Sequence, residues 1–227
     1  MRSSSWKLLI LGLVLGVAAP FVARADASLA EAEKEVADAG RTWGAFVADK
    51  DLVWLREHVK DSKGILICSQ VVKAGFIFGG SGGRCVFVAK TAGGWNGPAF
   101  YTVGTASAGF QAGIQSSEVV ALAMTQKAVD SFLSNSFKVG GDASAAAGPV
   151  GVGTGATINA DLVYYAKAKG LYGGVDVSGG VFKPSEDYNK AYYGKDVSPV
   201  DILVRGSVHN KSADPALLSK MVSQPGK

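Results

Sequence analysis

Gly64-Ile-Leu-Ile-Cys68, Val71-Val-Lys-Ala-Gly-Phe-Ile-Phe78 and Arg84-Cys-Val-Phe-Val-Ala89 follow one another with only short spacers between them. Short runs rich in β-branched and aromatic residues and bounded by glycine read as strands. The same texture returns at Ala99 to Val103, Phe110 to Ile114 and Val119 to Met124, so six short strands are expected between residues 64 and 124. Gly79-Gly-Ser-Gly-Gly83, lying between two of them, reads as a hairpin turn. The chain has 30 glycines, where average usage would give about 16. Such an excess predicts many tight turns and close backbone contacts.

Outward from this block the periodicity becomes helical. Ser28-Leu-Ala-Glu31 is a capping-box sequence, and Leu29, Val36 and Trp43 recur every seven residues with Ala32, Ala39 and Phe46 three further on. This pattern predicts a helix over about 28–48 with one apolar stripe. A shorter helix over about 51–60 carries Leu52, Leu55 and Val59 on one side, and a third from Thr125 to about Ser134 carries Ala128, Val129, Phe132 and Leu133. Residues 140–155, nearly all Gly, Ala, Ser and Val, read as packed turns, and strands resume at 160–167 and 171–177. Ser198-Pro199-Val-Asp201 and Asp214-Pro215 mark two late helix starts. The expected class is therefore α+β: a mostly antiparallel, curved, glycine-rich sheet bracketed by N-terminal, central and C-terminal helices.

The first 25 residues have the shape of a secretory leader. Arg2 and Lys7 precede an apolar run from Leu8 to Ala19, Pro20 breaks it, and Ala23-Arg24-Ala25 supplies a small-x-small cleavage pattern before Asp26. The run is too short to span a bilayer. Cleavage would leave residues 26–227 as a single domain, with 20 Lys and Arg against 19 Asp and Glu, so the formal charge of +4 falls to +1. Nucleic-acid binding is not expected from so balanced a surface. Export exposes Cys68 and Cys85, the only two cysteines, to oxidants; they form either a disulfide or two buried thiols.

Motifs for chemistry are absent or weak. Gly79 to Gly83 matches the G-x-S-x-G nucleophile pattern around Ser81, but that pattern needs a helix directly after the serine, and Arg84 to Val88 reads as a strand. Gly151-Val-Gly153-Thr-Gly155 lacks the spacing of a dinucleotide loop. His58 and His209, the only histidines, stand without a ligand motif. No catalytic residue, metal or cofactor is expected.

An ordered series of glycine–aromatic phrases resembles the SYLF family across nearly the whole mature chain. The series runs from Lys63-Gly-Ile-Leu-Ile67 and Val71-Val-Lys-Ala-Gly-Phe76, through Gly83, Trp95-Asn-Gly-Pro-Ala-Phe100 and Gly109-Phe-Gln-Ala-Gly113. It continues with Val139-Gly-Gly-Asp-Ala-Ser144, Gly148-Pro-Val-Gly151, Tyr165-Ala-Lys-Ala-Lys-Gly-Leu-Tyr-Gly-Gly174 and Tyr192-Tyr-Gly194. The resemblance implies phospholipid binding, mainly to acidic headgroups, and actin-filament binding in some eukaryotic members. Together with the leader and the weak chemistry motifs, the expectation is a non-enzymatic, peripheral phospholipid-binding protein of the periplasm or outer envelope, the alternative being a structural or protein-interaction module with an envelope protein as partner. Lys60, Lys63, Lys73, Arg84, Lys167 and Lys169 are the headgroup candidates nearest the family phrases, since an ammonium or guanidinium pairs with phosphate. The N-terminal helix departs from a membrane-binding one: Glu31, Glu33, Glu35, Asp38 and Asp49 outnumber Lys34 and Arg41. Anionic headgroups would repel its polar face, so its apolar stripe is expected to pack on the sheet.

Overall fold

The computed structural model describes residues 27–75, 78–108, 113–151, 158–168, 171–172 and 179–210. The leader, Lys169, most of the expected strand at 171–177, the helix start at Asp214 and the phrases around Phe76 and Phe110 lie outside them.

Helix α1 (Leu29–Ala48) begins as expected, with the Ser28 hydroxyl accepting from the Glu31 N–H while the Glu31 carboxylate accepts from the Ser28 N–H. Its stripe of Ala32, Val36, Ala39, Trp43 and Phe46 is buried, whereas Leu29, expected to begin that stripe, is exposed in the first turn. Helix α2 (Val53–His58) buries Leu55, with Leu52 and Val59 buried at its two ends. Four long strands follow: β1 (Gly64–Gly75), β2 (Phe78–Thr91), β3 (Gly94–Ala108) and β4 (Gly113–Ala123). After them come α3 (Gln126–Leu133), β5 (Phe137–Lys138), β6 (Ala145–Ala147), β7 (Leu162–Ala168), β8 (Leu171–Tyr172), β9 (Val181–Pro184), α4 (Glu186–Tyr193) and α5 (Pro199–Leu203).

The hairpin expected at Gly79–Gly83 is not there. These residues continue β2 and pair in register with β1, Gly79 opposite Gly75 and Gly83 opposite Val71. The glycines serve close approach instead of a turn. Beside Cys68–Gln70 the register shifts by one residue, and a Cβ on Gly83 would lie 2.4 Å from the Gln70 carbonyl oxygen. A β-bulge bends its strand in this way. Six expected runs are thus four strands: β1 joins two of them across Ser69–Gln70, β4 joins two across Gln115–Glu118, and β2 extends through Gly79–Gly83.

The strands form one sheet in the order β5-β9-β3-β2-β1-β4-β7-β6, with β8 beside β7, and all pairs are antiparallel except β6 with β7. It cannot be flat. β5 and β6 sit at opposite ends of that order, seven strand spacings or about 34 Å apart in a flat sheet. Yet only residues 139–144 join them, and the chain from Lys138 to Ala145 reaches at most about 25 Å. The sheet therefore curls until its edges approach. Helix α3 lies in the hollow: Phe132 stacks on Phe87 with centroids 3.9 Å apart and meets Tyr101, Phe137 and Phe182 edge-on. One ring reaching β2, β3, β5 and β9 defines the inner face.

Helices α1 and α4 cover the outer face. Tyr188 and Tyr192 of α4 pack on Phe100, and the Asn189 side chain meets the backbone of the β3 edge, accepting from the Phe100 N–H and donating to its carbonyl. Of the stretch 140–155 expected as packed turns, Ala145–Ala147 form strand β6 and the described remainder is irregular, with Gly148 so close to the Tyr165 ring that a Cβ would fall 2.1 Å from it.

Candidate functional site

The four long strands are covered over only part of their length. Toward the Gly64 end of β1, both faces are sealed: Ile67, Val86 and Val120 are buried on the outer face, and Leu66, Phe87 and Ala121 on the inner face. Toward the Gly75 end the strands run on past the helices, and this projecting half is patterned differently.

A polar seam marks the boundary. Glu35, Thr42 and Asp49 recur every seven residues along α1 and meet β2, β4 and β7 in turn. The Arg84 guanidinium lies 3.8 Å from the Glu35 carboxylate and 4.5 Å above the Tyr188 ring. The Thr42 hydroxyl donates to Glu118 at 2.8 Å, and the Lys167 ammonium lies 3.4 Å from Asp49. Burial pushes the Glu35 carboxyl above the usual range, and the Arg84 charge pulls it partway back. The seam fixes how α1 crosses the sheet. Arg84 and Lys167 therefore act here as ties between helix and sheet.

Beyond the seam, alternation in the strands separates two faces. On the outer face Val72 stands opposite Gly82 and Ser116, Gly82 opposite Gly104, and Ala74 opposite Gly80 and Ile114. Val72, Ala74, Gly82, Gly104, Ile114 and Ser116 are all exposed, Ile114 at 79% and Val72 at 37%. On the inner face Val71 and Val103 flank Gly83 next to the seam and pack against the core, and one row further out Lys73 stands opposite Ser81 and Gln115, and Ser81 opposite Thr105, all four half-buried. The Ser81 and Thr105 hydroxyls share a hydrogen bond of 2.6 Å. In a soluble protein the polar residues of a two-faced sheet normally look outward. Here the apolar and small residues do.

From Ala74 to Gly83 and from Thr91 to Ser117 the sequence contains no Asp, Glu, Lys or Arg. Lys73, on the inner face, is the one charged residue among the described residues of the projecting half. This gap in charge was visible in the sequence and would have pointed to this end; what it could not show is that the gaps coincide in space.

The remaining cation candidates sit elsewhere. Lys60 and Lys63 precede β1, at the far end of the sheet, and the Lys90 ammonium donates to the Lys60 carbonyl at 2.7 Å. Lys90 pairs in register with Trp95, which is half-buried against the core. The sequence reading missed Lys90 because only the β1–β2 pairing carries it to Lys63. Glu57 and Asp61 lie close in the chain, so the local charge is small. The six candidates thus do not converge: two tie α1 down, two lie at the opposite end, Lys73 faces inward, and Lys169 is outside the described residues.

Cys68 and Cys85 are joined as a disulfide across the bulge, with Cα atoms 4.0 Å apart, and both are buried. Among the described residues no group of three metal-ligating side chains occurs, and no helix is long and apolar enough to cross a membrane. The hydroxyl of Ser81 lies within a strand, bonded to Thr105, and no helix follows it.

Comparison with known proteins supports the family resemblance. The family described as Ysc84, Las17-binding protein actin regulator, matches residues 104–223, more than half of the chain. An SH3 domain-containing protein of Schizosaccharomyces pombe is 31% identical over 196 residues, covering 81% of this chain and 45% of its own length. LAS seventeen-binding protein 3 of Saccharomyces cerevisiae is 34% identical over 153 residues, covering 64% of this chain and 33% of its own. Human SH3 domain-containing YSC84-like protein 1 is 30% identical over 151 residues, covering 64% and 44%. The chain spans less than half the length of these curated relatives. It nevertheless carries the matching domain, and so the protein belongs to the Ysc84, or SYLF, family of binding and regulatory proteins.

Proposed function

We propose that this is a non-enzymatic, peripheral phospholipid-binding protein, exported through the leader at residues 1–25 and resident in the periplasm or outer envelope. The observation that supports this reading is the reversed patterning of the projecting half-sheet, where Ile114 and Val72 stand exposed on a face without charge. Contiguous exposed apolar surface in a soluble protein marks a contact with membrane, ligand or protein. Covering an isoleucine and a valine is worth roughly 2–5 kcal/mol together, enough for reversible association with a bilayer and too little for an integral anchor. Sedimentation of the purified protein with phospholipid vesicles tests this. Binding is expected, and a folded protein that co-sediments with no lipid would end the proposal.

A second reading is a protein-interaction module of the envelope, favoured by relatives named for binding Las17; actin-type filament binding rests on family analogy alone. Crosslinking in intact cells that captures one defined protein at the projecting half, with no lipid bound, would favour it. A catalytic role for Ser81 has its own test, since turnover abolished by Ser81→Ala would overturn the non-enzymatic reading.

A further inference from the structure

We infer that the projecting half-sheet recognises the acyl layer of loosely packed phospholipid, and that headgroup charge contributes little. This rests on the lipid-binding reading and states which part of the lipid is read.

The first argument is the placement of charge. Any cation able to pair with a headgroup phosphate should lie on the outer face near Ile114, and among the described residues none does. Lys73 is on the opposite face, and Arg84 is engaged with Glu35 and Tyr188. Lys60 and Lys63 are some 35 Å away, the length of β1 at about 3.3 Å per residue. Helix α1 instead brings Glu31, Glu35 and Asp38 to the sheet's outer side, which disfavours an anionic surface.

The second argument is depth. Next to the Arg84–Glu118 row of the seam, the outer face offers two uncharged rows among the described side chains, Ile114–Ala74–Gly80 and Ser116–Val72–Gly82–Gly104. Two rows span roughly 7 Å, close to the 5–10 Å that an interfacial element reaches. The flanks set the same limit. Among the described residues β3 beyond Gly104 pairs only with β2, and β4 before Ser117 only with β1, and backbone groups left open on such outer edges are not tolerated in the hydrocarbon interior. The half-sheet therefore enters the zone between headgroups and chains, where gaps in lipid packing expose acyl carbon. The glycines fit this use. A Cβ added at Gly82 or Gly104 would meet nothing closer than 3.8 Å, so the outer surface is smooth at positions where the fold would accept a side chain.

The test is vesicle co-sedimentation of the full protein with small sonicated and large extruded phosphatidylcholine vesicles, with and without phosphatidylglycerol, at low and high salt. Binding to small phosphatidylcholine vesicles should exceed binding to large ones by about tenfold, with salt and phosphatidylglycerol changing it less than about twofold. Ile114→Asp and, separately, Val72→Asp should weaken binding by more than about tenfold, with melting temperature unchanged, while Lys60→Glu with Lys63→Glu should leave it intact. Binding that needs phosphatidylglycerol or falls steeply with salt would overturn the inference and leave the lipid reading standing. So would folded aspartate variants that bind like the wild type. No binding to any vesicle would remove both.

Discussion

The two halves of the long strands share a backbone and differ in everything attached to it. Near the Gly64 end, Phe87, Phe132 and Tyr101 fill the inner hollow, while Trp43 and Phe46 sit in the buried stripe of α1 over the outer face. Toward the Gly75 end, beyond the inward Val71 and Val103, hydroxyls and a lysine line the inner face, and valine, isoleucine and glycine face out. The covered half is patterned for a protein interior on both sides. The projecting half is patterned for an apolar neighbour outside. Stability should therefore reside in the first and binding in the second, and substitutions should separate the two.

The largest effect is expected in the hollow. Phe132→Ala should cost about 3–5 kcal/mol, because the ring is fully buried among four aromatic partners; chemical denaturation reads this directly. Next comes the disulfide at the boundary between the halves. Replacing Cys68 and Cys85 together by serine opens a loop with a sequence separation of 17, for which chain entropy suggests a loss of about 3 kcal/mol. The deficit relative to the wild type should vanish once the wild type is reduced, which would confirm the source.

Asp161 sharpens the comparison at the closed end. Its carboxylate accepts from the Ser144 N–H and hydroxyl and from the Thr125 hydroxyl, and it pairs with Lys127, so it joins the start of α3 to the turn that closes the sheet. The Ser144 backbone N–H, followed by the Thr125 hydroxyl, holds this carboxyl well below the usual range. A depressed acid stabilises the fold above its unfolded pKa, near 4, and that contribution is lost as pH falls below it. Asp161→Asn should cost about 1–3 kcal/mol at neutral pH, and its stability should vary less than the wild type's between pH 5 and 2.

The smallest effect should come from neighbouring glycines. Gly82→Ala and Gly104→Ala make only ordinary contacts, at 3.8 and 3.9 Å, and should leave stability unchanged or raise it by about 0.5 kcal/mol. Gly83→Ala would press on the Gln70 carbonyl and should cost about 1–3 kcal/mol. Equal melting temperatures for Gly82→Ala and Gly83→Ala would mean that the bulge does not require the close approach.

Much of this was legible in the sequence where local chemistry decides. The Ser28–Glu31 capping box and the helix start at Ser198-Pro199 form as read, and the stripe of α1 is buried from Ala32 onward. What escaped depends on partners distant in the chain. Glycine suits a turn and a close strand crossing equally well, so Gly79–Gly83 could be placed only by the bulge opposite it. β5 and β9, two and four residues long, exist because β3 offers an edge. Helix α4 was missed because its buried side is Tyr188, Asn189, Tyr192 and Tyr193, polar enough to hide the periodicity. The cation candidates were chosen by closeness to family phrases in the chain, and curling the sheet carried them to three separate places.

Hydrogen–deuterium exchange with and without small phosphatidylcholine vesicles tests the division of labour most directly. In the free protein the covered half should exchange slowly and the projecting half quickly; vesicles should slow exchange at residues 72–74, 80–82 and 114–116 and leave Lys60–Lys63 and Lys90 unaltered. Protection appearing at the Lys60–Lys90 end, with none at the projecting strands, would contradict the account.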